Sequence, residues 1–574
     1  MNFEQIYSEE LALLDQLGSE FAQNYPAIAG YLSSHSTDPD VLRLLQGFSF
    51  LTAMVRKKID DDLPEMVNSI AGLVGPNLIK AFPAVTVLNL AIEGKNNQGV
   101  LVPKGTTFAS QPVDGVNCQF STSWDTAIQP IQIQQVNLEP TESGSKLTLT
   151  FECQGIPASQ WLGESISLYL SGPYQEASTL MMALRHQLSG VFVCEEGNED
   201  LATPIQIKFP GLDINLALMA QHQEITHHLR WIREFMFFPE RALFIELKNL
   251  NSWKTSSSKK TFKVIFKFTD SVKSFPRMNL NQFSCNVVPA VNVFETFVDP
   301  IELTHLQEHY LLKPMGFRAN EAQILDVISV IGRVQGSSNE KTYISSSALD
   351  AYQHSNVYQL TEVEALQKGA SSHRLRIYLT DDMDFTKRET LSVKVLCTNA
   401  NLPSRIRVND ISMRTENSPE KIKVTNITRP VGSARPSFGE DALWKIIAQA
   451  RMSINSLDEK STIKEYLMNY LSVGGDEPAR IDAARRRIEG IDDIQVEDCY
   501  EMSMGNVLRG KKIIVSLRGD FYSGIGDVFI FGEMLAHFFA SLVDLNSFVS
   551  LGVKDQVSGK YFEWPKLITV NHRL

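Results

Sequence analysis

The sequence predicts a multidomain α+β protein with an N-terminal segment of long, bundle-forming helices, two β-rich middle domains and a C-terminal α+β domain. Apolar residues recur every three or four positions up to about residue 60, which is typical of amphipathic helices. Short β-branched segments then fill the chain to Ser433, and helices and strands mix after that point. A chain of 574 residues also exceeds what one hydrophobic core can organise. We therefore predict domains at 1–80, 81–250, 251–430 and 431–574.

Two long helices are predicted at the N-terminus, each with one apolar stripe. The first is about 22 residues long and ends at Tyr25-Pro26, because proline cannot continue a helix. The second begins at Asp38-Pro39, where aspartate is a good N-cap and proline fits the first turn. The first stripe consists of Phe3, Tyr7, Leu11, Leu14, Leu17, Phe21 and Tyr25. The second stripe consists of Val41, Leu44, Leu45, Phe48, Leu51, Val55 and Ile59.

The second stripe is close to a heptad pattern, which serves packing within one chain as well as packing between chains. We interpret both stripes as candidate intersubunit surfaces of a helical bundle. The alternative, which the sequence leaves open, is that the two helices only pack on each other. A third, shorter helix is predicted between Leu63-Pro64 and Gly75-Pro76.

The middle of the chain predicts strands, because its segments are short, β-branched and bounded by turn-forming residues. One helix, Gln175–Leu188, interrupts them, and the prolines and small residues of Arg429–Phe438 indicate a linker. The predicted strands are VTVLNLAI (85–92), KLTLTFEC (146–153), SISLYLSG (165–172), TFKVIFKF (261–268), LRIYLT (375–380) and LSVKVLC (391–397).

The C-terminal region predicts helices at 440–457 and 461–471, a basic helix at Ile481–Ile488, a strand at 511–517 and a last helix at Val528–Phe548. The last helix is apolar around most of its circumference, so we expect it to be buried on several sides. It is interpreted either as a domain core or as an intersubunit helix. Its candidate contact residues are Phe531, Leu535, Phe538, Phe539 and Leu542.

Composition and charge exclude several classes of function. The net charge of −12 argues against nucleic acid as the main ligand. No apolar run reaches the roughly 18–20 residues needed to cross a membrane without charges, since Glu533 and Asp544 interrupt the best one. The acidic N-terminus lacks the features of a signal peptide, and the six cysteines form no C-x-x-C pair. We expect a cytoplasmic protein with reduced thiols.

The sequence offers no convincing catalytic, cofactor or metal site. His305 and His309 are four residues apart, but the segment is not H-E-x-x-H. The carboxylates of Asp381–Asp384 are typical of a solvated turn, and Ser523–Asp527 lacks the lysine of a phosphate-binding loop. Arg485–Arg487 indicates a solvated helix face or a contact for an acidic partner. We predict that the protein is not an enzyme and binds no cofactor or metal.

Several segments, in order from residue 9 to residue 548, together resemble the TssF family of type VI secretion baseplate subunits, also called ImpG or VasA. The match is weak in the loop 249–262 and in Gln335–Arg374. The segments are EELALLDQLGSEFAQNYPAIAGYL, DPDVLRLLQGFSFLTAMVRKKIDDDLPEM, VPKGTTF (Val102–Phe108), PVDGVNCQFST (Pro112–Thr122), FMFFPERALFIEL (Phe235–Leu247), FSCNVVPAVNVFE (Phe283–Glu295), VLCTNANLPSRI (Val395–Ile406), ARPSFGEDALWKII (Ala434–Ile447) and FGEMLAHFFASLVDLNSF (Phe531–Phe548).

This resemblance implies a structural wedge protein, related to those of contractile phage baseplates, with no catalysis. It implies that two copies join one TssG and that the wedge contacts the adaptor TssK. Six wedges would surround the VgrG spike hub, at the cytoplasmic face of the inner membrane, as a platform for the tail tube and sheath. Two alternatives stay open: a baseplate protein of a phage or phage-like particle, and a β-rich carbohydrate-binding or hydrolase scaffold.

Overall fold

The protein has a mixed α+β, strand-rich architecture. The structure is a computed structural model that describes the chain except for residues 1–2, 25–39, 41–42, 57–79, 95–97, 143, 162, 198–200, 220–226, 255–258, 271–274, 305–306, 319, 337–339, 347–350, 352–353, 355, 365–370, 379–387, 435–459, 472–477, 504–505, 543–546 and 569–574. The helices in the described residues are α1 (Phe3–Asn24), α2 (43–56), α3 (Tyr174–His186), α4 (His227–Phe237), α5 (Asn251–Lys254), α6 (Lys460–Met468), α7 (Pro478–Glu489) and α8 (Ile525–Leu542).

A first sheet, the platform sheet, joins segments that are far apart in sequence. Its described strands, in spatial order, are β23 (Ile411–Arg414), β3 (Thr107–Ser110), β4 (Gln119–Thr122), β14 (Val287–Val291), β1 (Val85–Ile92) and β24 (Ile422–Asn426). Alternate residues of β1 face two different cores: Leu88 and Leu90 point into the core of this sheet, whereas Val85 and Val87 point into the main core of the chain. A short ribbon of β2 (Val100–Val102) and β5 (Thr126–Ile128) lies beside it.

A second sheet, the large sheet, forms the main core together with α3 and α4. Its described strands, in spatial order, are β13 (Phe283–Cys285), β8 (Ile166–Leu170), β11 (Phe244–Lys248), β10 (Thr203–Lys208), β9 (Leu188–Glu195), β12 (Thr261–Phe268), β7 (Gly144–Cys153) and β6 (Ile131–Thr141). Val264 of β12 lies opposite Leu149 on one side and Val193 on the other. The predicted domain boundary at residue 250 is therefore wrong, because it separates β12 from both of its partners.

Residues 294–398 form a separate β-barrel with its own core. Its described strands, in spatial order, are β15 (Phe294–Phe297), β22 (Glu389–Thr398), β18 (Gln323–Val334), β19 (Glu340–Ser345), β20 (Val357–Glu364), β21 (Ser371–Tyr378) and β17 (Tyr310–Leu311), with β16 (Ile301–Leu303) also on β22. The sheet closes on itself because the Asp299 N–H donates to the Lys313 carbonyl (3.0 Å) and the Met315 N–H to the Phe297 carbonyl (2.8 Å). The chain then returns to the platform sheet through β23 and β24.

The C-terminal region is a β-sheet covered by helices. Its described strands are β25 (Ile491–Ser503), β26 (Asn506–Leu517), β27 (Ser547–Asp555), β28 (Tyr561–Glu563) and β29 (Leu567–Ile568). The helix α8 connects β26 to the parallel strand β27 as a crossover. The predicted last helix extended to Phe548, but α8 ends at Leu542 and Phe548 lies in β27. A β-branched or aromatic residue at three of the positions 547–553 favours a strand there.

Most predicted elements are confirmed where the structure describes them. The predicted strands at 85–92 and 261–268 coincide with β1 and β12, and α1 has the predicted 22 residues. The predicted third N-terminal helix and the helix at 440–457 lie outside the described residues. The described part of the predicted linker is bound rather than free, since Val431 and Ala434 form bridges with Val85 and Phe82.

Candidate functional site

The two N-terminal helices contact each other through an ion pair, and each helix buries side chains on one face. Ile6 and Glu10 of α1 are buried, as are Ser49 and Ala53 of α2. The guanidinium of Arg56 donates to Glu10 Oε1 at 2.8 Å. These positions repeat every four residues on each helix, so the contact occupies one face of each. The large apolar residues of α2 lie elsewhere.

A row of large apolar residues on α2 is exposed. Leu44, Phe48, Leu51 and Val55 keep between 58% and 74% of their surface accessible. We call these four residues the α2 ridge. Phe50 and Met54 beside it, and Leu13 and Leu17 on α1, are also about half exposed. An apolar surface of this kind is typical of an interaction site.

The other candidate residues of these helices divide into two groups. Tyr7, Leu11, Leu14 and Leu45 are half-buried. The side chains of Phe3, Phe21 and Val41 lie outside the described residues. The helices therefore do contact each other, as the alternative interpretation predicted, but this contact leaves the α2 ridge uncovered.

The last helix, α8, is covered by the chain itself. The five candidate contact residues on it, Phe531, Leu535, Phe538, Phe539 and Leu542, are at most 5% exposed. Around α8 lie α3 and α4 of the large-sheet domain and Tyr466 of α6, whose ring centroid is 5.5 Å from that of Phe538. The interpretation of these residues as intersubunit contacts is therefore wrong: they form a core between two domains of one chain.

Gly526 shows how closely α8 and α3 approach each other. A Cβ atom at this position would lie 2.3 Å from the backbone of Ser178 and Thr179. Only glycine fits such a crossing without moving one helix. Among the described residues, α8 is also the one helix long and apolar enough to cross a membrane, and 83% of it is buried inside the protein. A helix buried to this extent inside its own chain is typical of a protein core.

A buried ion pair fastens the N-terminal end of α8. The Arg487 Nε lies 3.0 Å from both carboxylate oxygens of Asp527, and the Tyr174 hydroxyl donates to Asp527 Oδ1 at 3.0 Å. Burial alone would lower the pKa of Arg487, but the charge of Asp527, the neighbouring Tyr174 and the hydrogen bond to Asp527 together outweigh burial and raise the pKa. Burial, and then Asp527, raise the pKa of Tyr174. Arg487 is therefore neither part of a solvated helix face nor accessible to an acidic partner. Arg485 and Arg486 of the predicted basic patch are exposed.

Two titratable groups lie further along α8. Glu533 accepts a hydrogen bond from the indole N–H of Trp564 and lies 3.7 Å from the guanidinium of Arg185. Burial raises the pKa of Glu533, although Arg185 opposes the change. Burial lowers the pKa of His537 to about 3, and the neighbouring His228 contributes. His537 is therefore neutral, and its Nδ1 has no hydrogen-bond partner in the described structure.

An asparagine cluster, not identified from the sequence, joins the barrel to the platform sheet. Asn292 accepts hydrogen bonds from Thr398 Oγ1 (2.7 Å) and the Asn399 N–H (2.8 Å) through its Oδ1. Its amide donates to Asn399 Oδ1 (2.9 Å) and to the Gln119 carbonyl (2.7 Å). All three side chains are buried. We call Asn292, Thr398 and Asn399 the asparagine clasp; two segments that resemble TssF, 283–295 and 395–406, meet in it.

The potential metal-ligating side chains of the described residues do not converge on a metal site. No group of three or more His, Cys, Asp or Glu side chains converges among them. Burial raises the pKa of Cys118, Cys153 and Cys397 to about 12, so these thiols stay protonated. His305 lies outside the described residues, so the structure gives no distance between His305 and His309.

The chain is similar to proteins of one secretion machine along nearly its whole length. A family model described as "Type VI secretion system, TssF" matches residues 1–570. The type VI secretion system component TssF1 of Pseudomonas aeruginosa is 25% identical, over 97% of each chain. A chain in a solved TssK-TssF-TssG baseplate subcomplex is 23% identical, with a TM-score of 0.79 over 93% of this chain and 99% of that one. A chain in a solved type VI baseplate complex is 21% identical, with a TM-score of 0.64 over the full length of both.

Proposed function

Because this chain belongs to the TssF family of type VI secretion proteins, we propose that it acts as a structural wedge subunit of the secretion baseplate and performs no catalysis. One structural relative is part of a TssK-TssF-TssG subcomplex. We therefore propose TssG and TssK as partners of this chain, with a second copy of this chain on the same TssG. The VgrG spike hub and the components that initiate the sheath and tube are proposed neighbours. The baseplate would dock at the cytoplasmic face of the inner membrane.

The α2 ridge is the observation that carries this proposal for the N-terminal helices. Its residues are spaced by four, three and four positions, which is the seam that one helix offers to another in a bundle. Each large apolar side chain stabilises a complex by roughly 1.5–3 kcal/mol when it becomes fully buried. The α1–α2 contact leaves these side chains accessible. We propose that helices of TssG and of the second copy cover them.

Leu44→Glu combined with Phe48→Glu tests this proposal. The two carboxylates would have to be buried in the bundle, so we expect co-purification with TssG to be lost. The thermal unfolding of the isolated chain should stay unchanged, since both positions are exposed.

Gln46→Glu is the matched control, because it adds the same charge to an exposed position of α2 outside the ridge. It should co-purify with TssG as the unchanged chain does. A folded double variant that still binds TssG would disprove the proposed role of the ridge.

A further inference from the structure

The hairpin of β25 and β26 extends beyond the rest of the C-terminal sheet. The third strand, β27, pairs with β26 only over Arg509–Leu517, so the described part of the hairpin nearer its turn is a two-stranded ribbon. Tyr500, Met502 and Val507 lie on this ribbon and keep 66%, 77% and 65% of their surface accessible. We call these three residues the ribbon tip. The proposed role of the α2 ridge makes no use of them.

The ribbon tip is one continuous apolar patch. Met502 of β25 lies directly opposite Val507 of β26, and Tyr500 is two positions from Met502 on the same strand. Alternate residues of a strand point to the same face, and directly opposite residues of paired strands lie side by side on it. Two strands with no third strand and no packed face are marginally stable. A partner that covers this patch would therefore stabilise the ribbon.

The same face of the hairpin is covered by helices at its other end. Ile494 of β25 lies opposite Val515 of β26, and both side chains share the face of the ribbon tip. They are buried in the main core together with apolar residues of α6, α7 and α8. The helices α6 and α7 contact β25 there. The ribbon tip thus continues a helix-packing face beyond the helices of its own chain, and an amphipathic helix is the element that fits it.

The charges beside the ribbon tip leave one cation unmatched. Asp498 pairs with Lys511 at 3.3 Å on the same face, and Glu501 pairs with Lys566 at 2.7 Å on the opposite face. Arg509 lies directly opposite Tyr500 and is exposed. In the part of the chain that the structure describes, it has no ion-pair partner. A partner that places a carboxylate beside the apolar patch would complement Arg509.

We propose that the ribbon tip docks an amphipathic helix of another baseplate subunit, supplied within the complex with TssG and TssK. The apolar face of that helix covers Tyr500, Met502 and Val507, and an aspartate or glutamate beside this face accepts hydrogen bonds from Arg509. A second copy of this chain fits less well, because two such faces in contact would bring two Arg509 side chains together. This inference rests on the proposed function, since another subunit must supply the helix.

Photo-cross-linking in the complex reconstituted with TssG and TssK tests this inference. Val507 is replaced with the photo-reactive residue p-benzoylphenylalanine, and mass spectrometry identifies the residues that it reaches. We expect cross-links to residues of TssG or TssK that are three or four positions apart, because such residues share one face of a helix. The free chain should give no cross-link to a second copy.

The same replacement at Val557 is the matched control. Val557 is 67% exposed and lies between β27 and β28 of the same domain, away from the ribbon. It should give no cross-link to TssG or TssK. Cross-links to alternate residues, as a strand would give, cross-links between two copies of this chain, or equal yields at Val507 and Val557 would each overturn the inference.

Charge reversal at Arg509 tests the acidic residue of the partner. Arg509→Glu should lower the cross-linking yield at Val507 about fivefold, whereas Arg509→Lys should keep most of it. Neither change should alter the thermal unfolding of the free chain, since Arg509 is exposed. Equal yields with arginine and glutamate at this position would contradict a carboxylate facing Arg509.

The outcomes separate this inference from the proposed role of the α2 ridge. Arg509→Glu should still co-purify with TssG if the ridge makes that contact. A complex that contains TssG and TssK but gives no cross-link from Val507 would overturn the inference and leave the ridge proposal standing. If Leu44→Glu with Phe48→Glu still binds TssG and Val507 still cross-links, the ridge proposal fails and the ribbon tip remains a docking site.

Discussion

The helices α8 and α2 are both rich in large apolar residues, yet the chain covers one and exposes the other. Phe531 and Phe538 of α8 are fully buried, whereas Phe48 of α2 is 58% exposed. The helix α8 is apolar on nearly all sides, and the carboxylates of Asp527 and Glu533 on it have partners in its own chain. In contrast, α2 separates a buried face, which carries the small residues Ser49 and Ala53, from an exposed face of large apolar residues.

This difference shows which sequence feature separates a core helix from a docking helix. A helix that is apolar all round must be enclosed, and one chain can enclose it by packing a second domain against it. A helix with a small face and a large face can serve two contacts at once. In α2 the large face is the one that its own chain leaves accessible.

Phe538→Ala should produce the largest effect, and it directly tests whether α8 is more enclosed than α2. Removing a buried phenylalanine leaves a cavity, so we expect a loss of about 4 kcal/mol in the free energy of unfolding. Phe48→Ala is the matched control and should change it by less than about 0.5 kcal/mol. Denaturant unfolding of the full chain measures both. Equal losses would mean that α2 is as enclosed as α8.

Asp527→Ala should have the next largest effect, because it leaves the charge of Arg487 buried and unpaired. We expect a loss of about 3 kcal/mol in the free energy of unfolding. Asp520→Ala is the control, since it removes a carboxylate from an exposed pair with Arg518 and such pairs contribute little. If the two variants unfold alike, the ion pair does not fasten α8.

The pH dependence of stability should distinguish the two helices, since α8 carries the buried His537 and the described part of α2 carries no histidine. Its pKa in the folded protein is about 3 and its ordinary value is 6.5, so the folded state binds fewer protons. The stability that it contributes is present above pH 6.5 and is lost as the pH falls, by at most about 1.4 kcal/mol per pH unit.

His537→Gln should remove this slope between pH 6.5 and 5.5, measured by denaturant unfolding at several pH values. The charged and titratable groups around His537 are His228, Arg241 and Arg185, and they remain in the variant. Glu533 has the opposite sign, because its raised pKa makes its contribution decrease as the pH rises through the folded value. An unchanged slope in the variant would assign the pH dependence to other groups.

Arg56→Met should have the smallest effect, and it tests how firmly α2 is held on α1. The ion pair with Glu10 is only partly buried, so we expect a loss below about 1 kcal/mol. Arg43→Met, at a more exposed pair on the same helix, should leave the unfolding temperature unchanged. A loss of several kcal/mol would show that the α1–α2 contact stabilises the whole chain.

Local patterns in the sequence predicted local elements well. The β-branched run at 85–92 and the run at 261–268 coincide with strands, because each is bounded by residues that favour turns. The helix α4 was missed, since its two arginines and two histidines obscured the apolar face that carries Trp231 and Phe235. The end of α8 was misplaced because an apolar helix and a buried strand look alike without periodicity.

Contacts between distant residues could not be predicted in this way. Leu88 of β1 lies opposite Asn426 of β24, and no local signal marks a pair so far apart in sequence. No local signal marks the start of the barrel at Phe294 or the asparagine clasp either. The α2 ridge was predicted as a stripe, but its exposure depends on which face contacts α1. Likewise, only the folded structure shows that α3, α4 and α6 of the same chain cover α8.

The asparagine clasp has a consequence for how the barrel can vary. The chain enters the barrel at Phe294 and leaves it beside the same point, since Phe294 lies opposite Cys397. A module attached through two adjacent strands can be replaced by a reporter domain while the platform sheet keeps its pairing. The barrel is therefore the place to insert a fluorescent label.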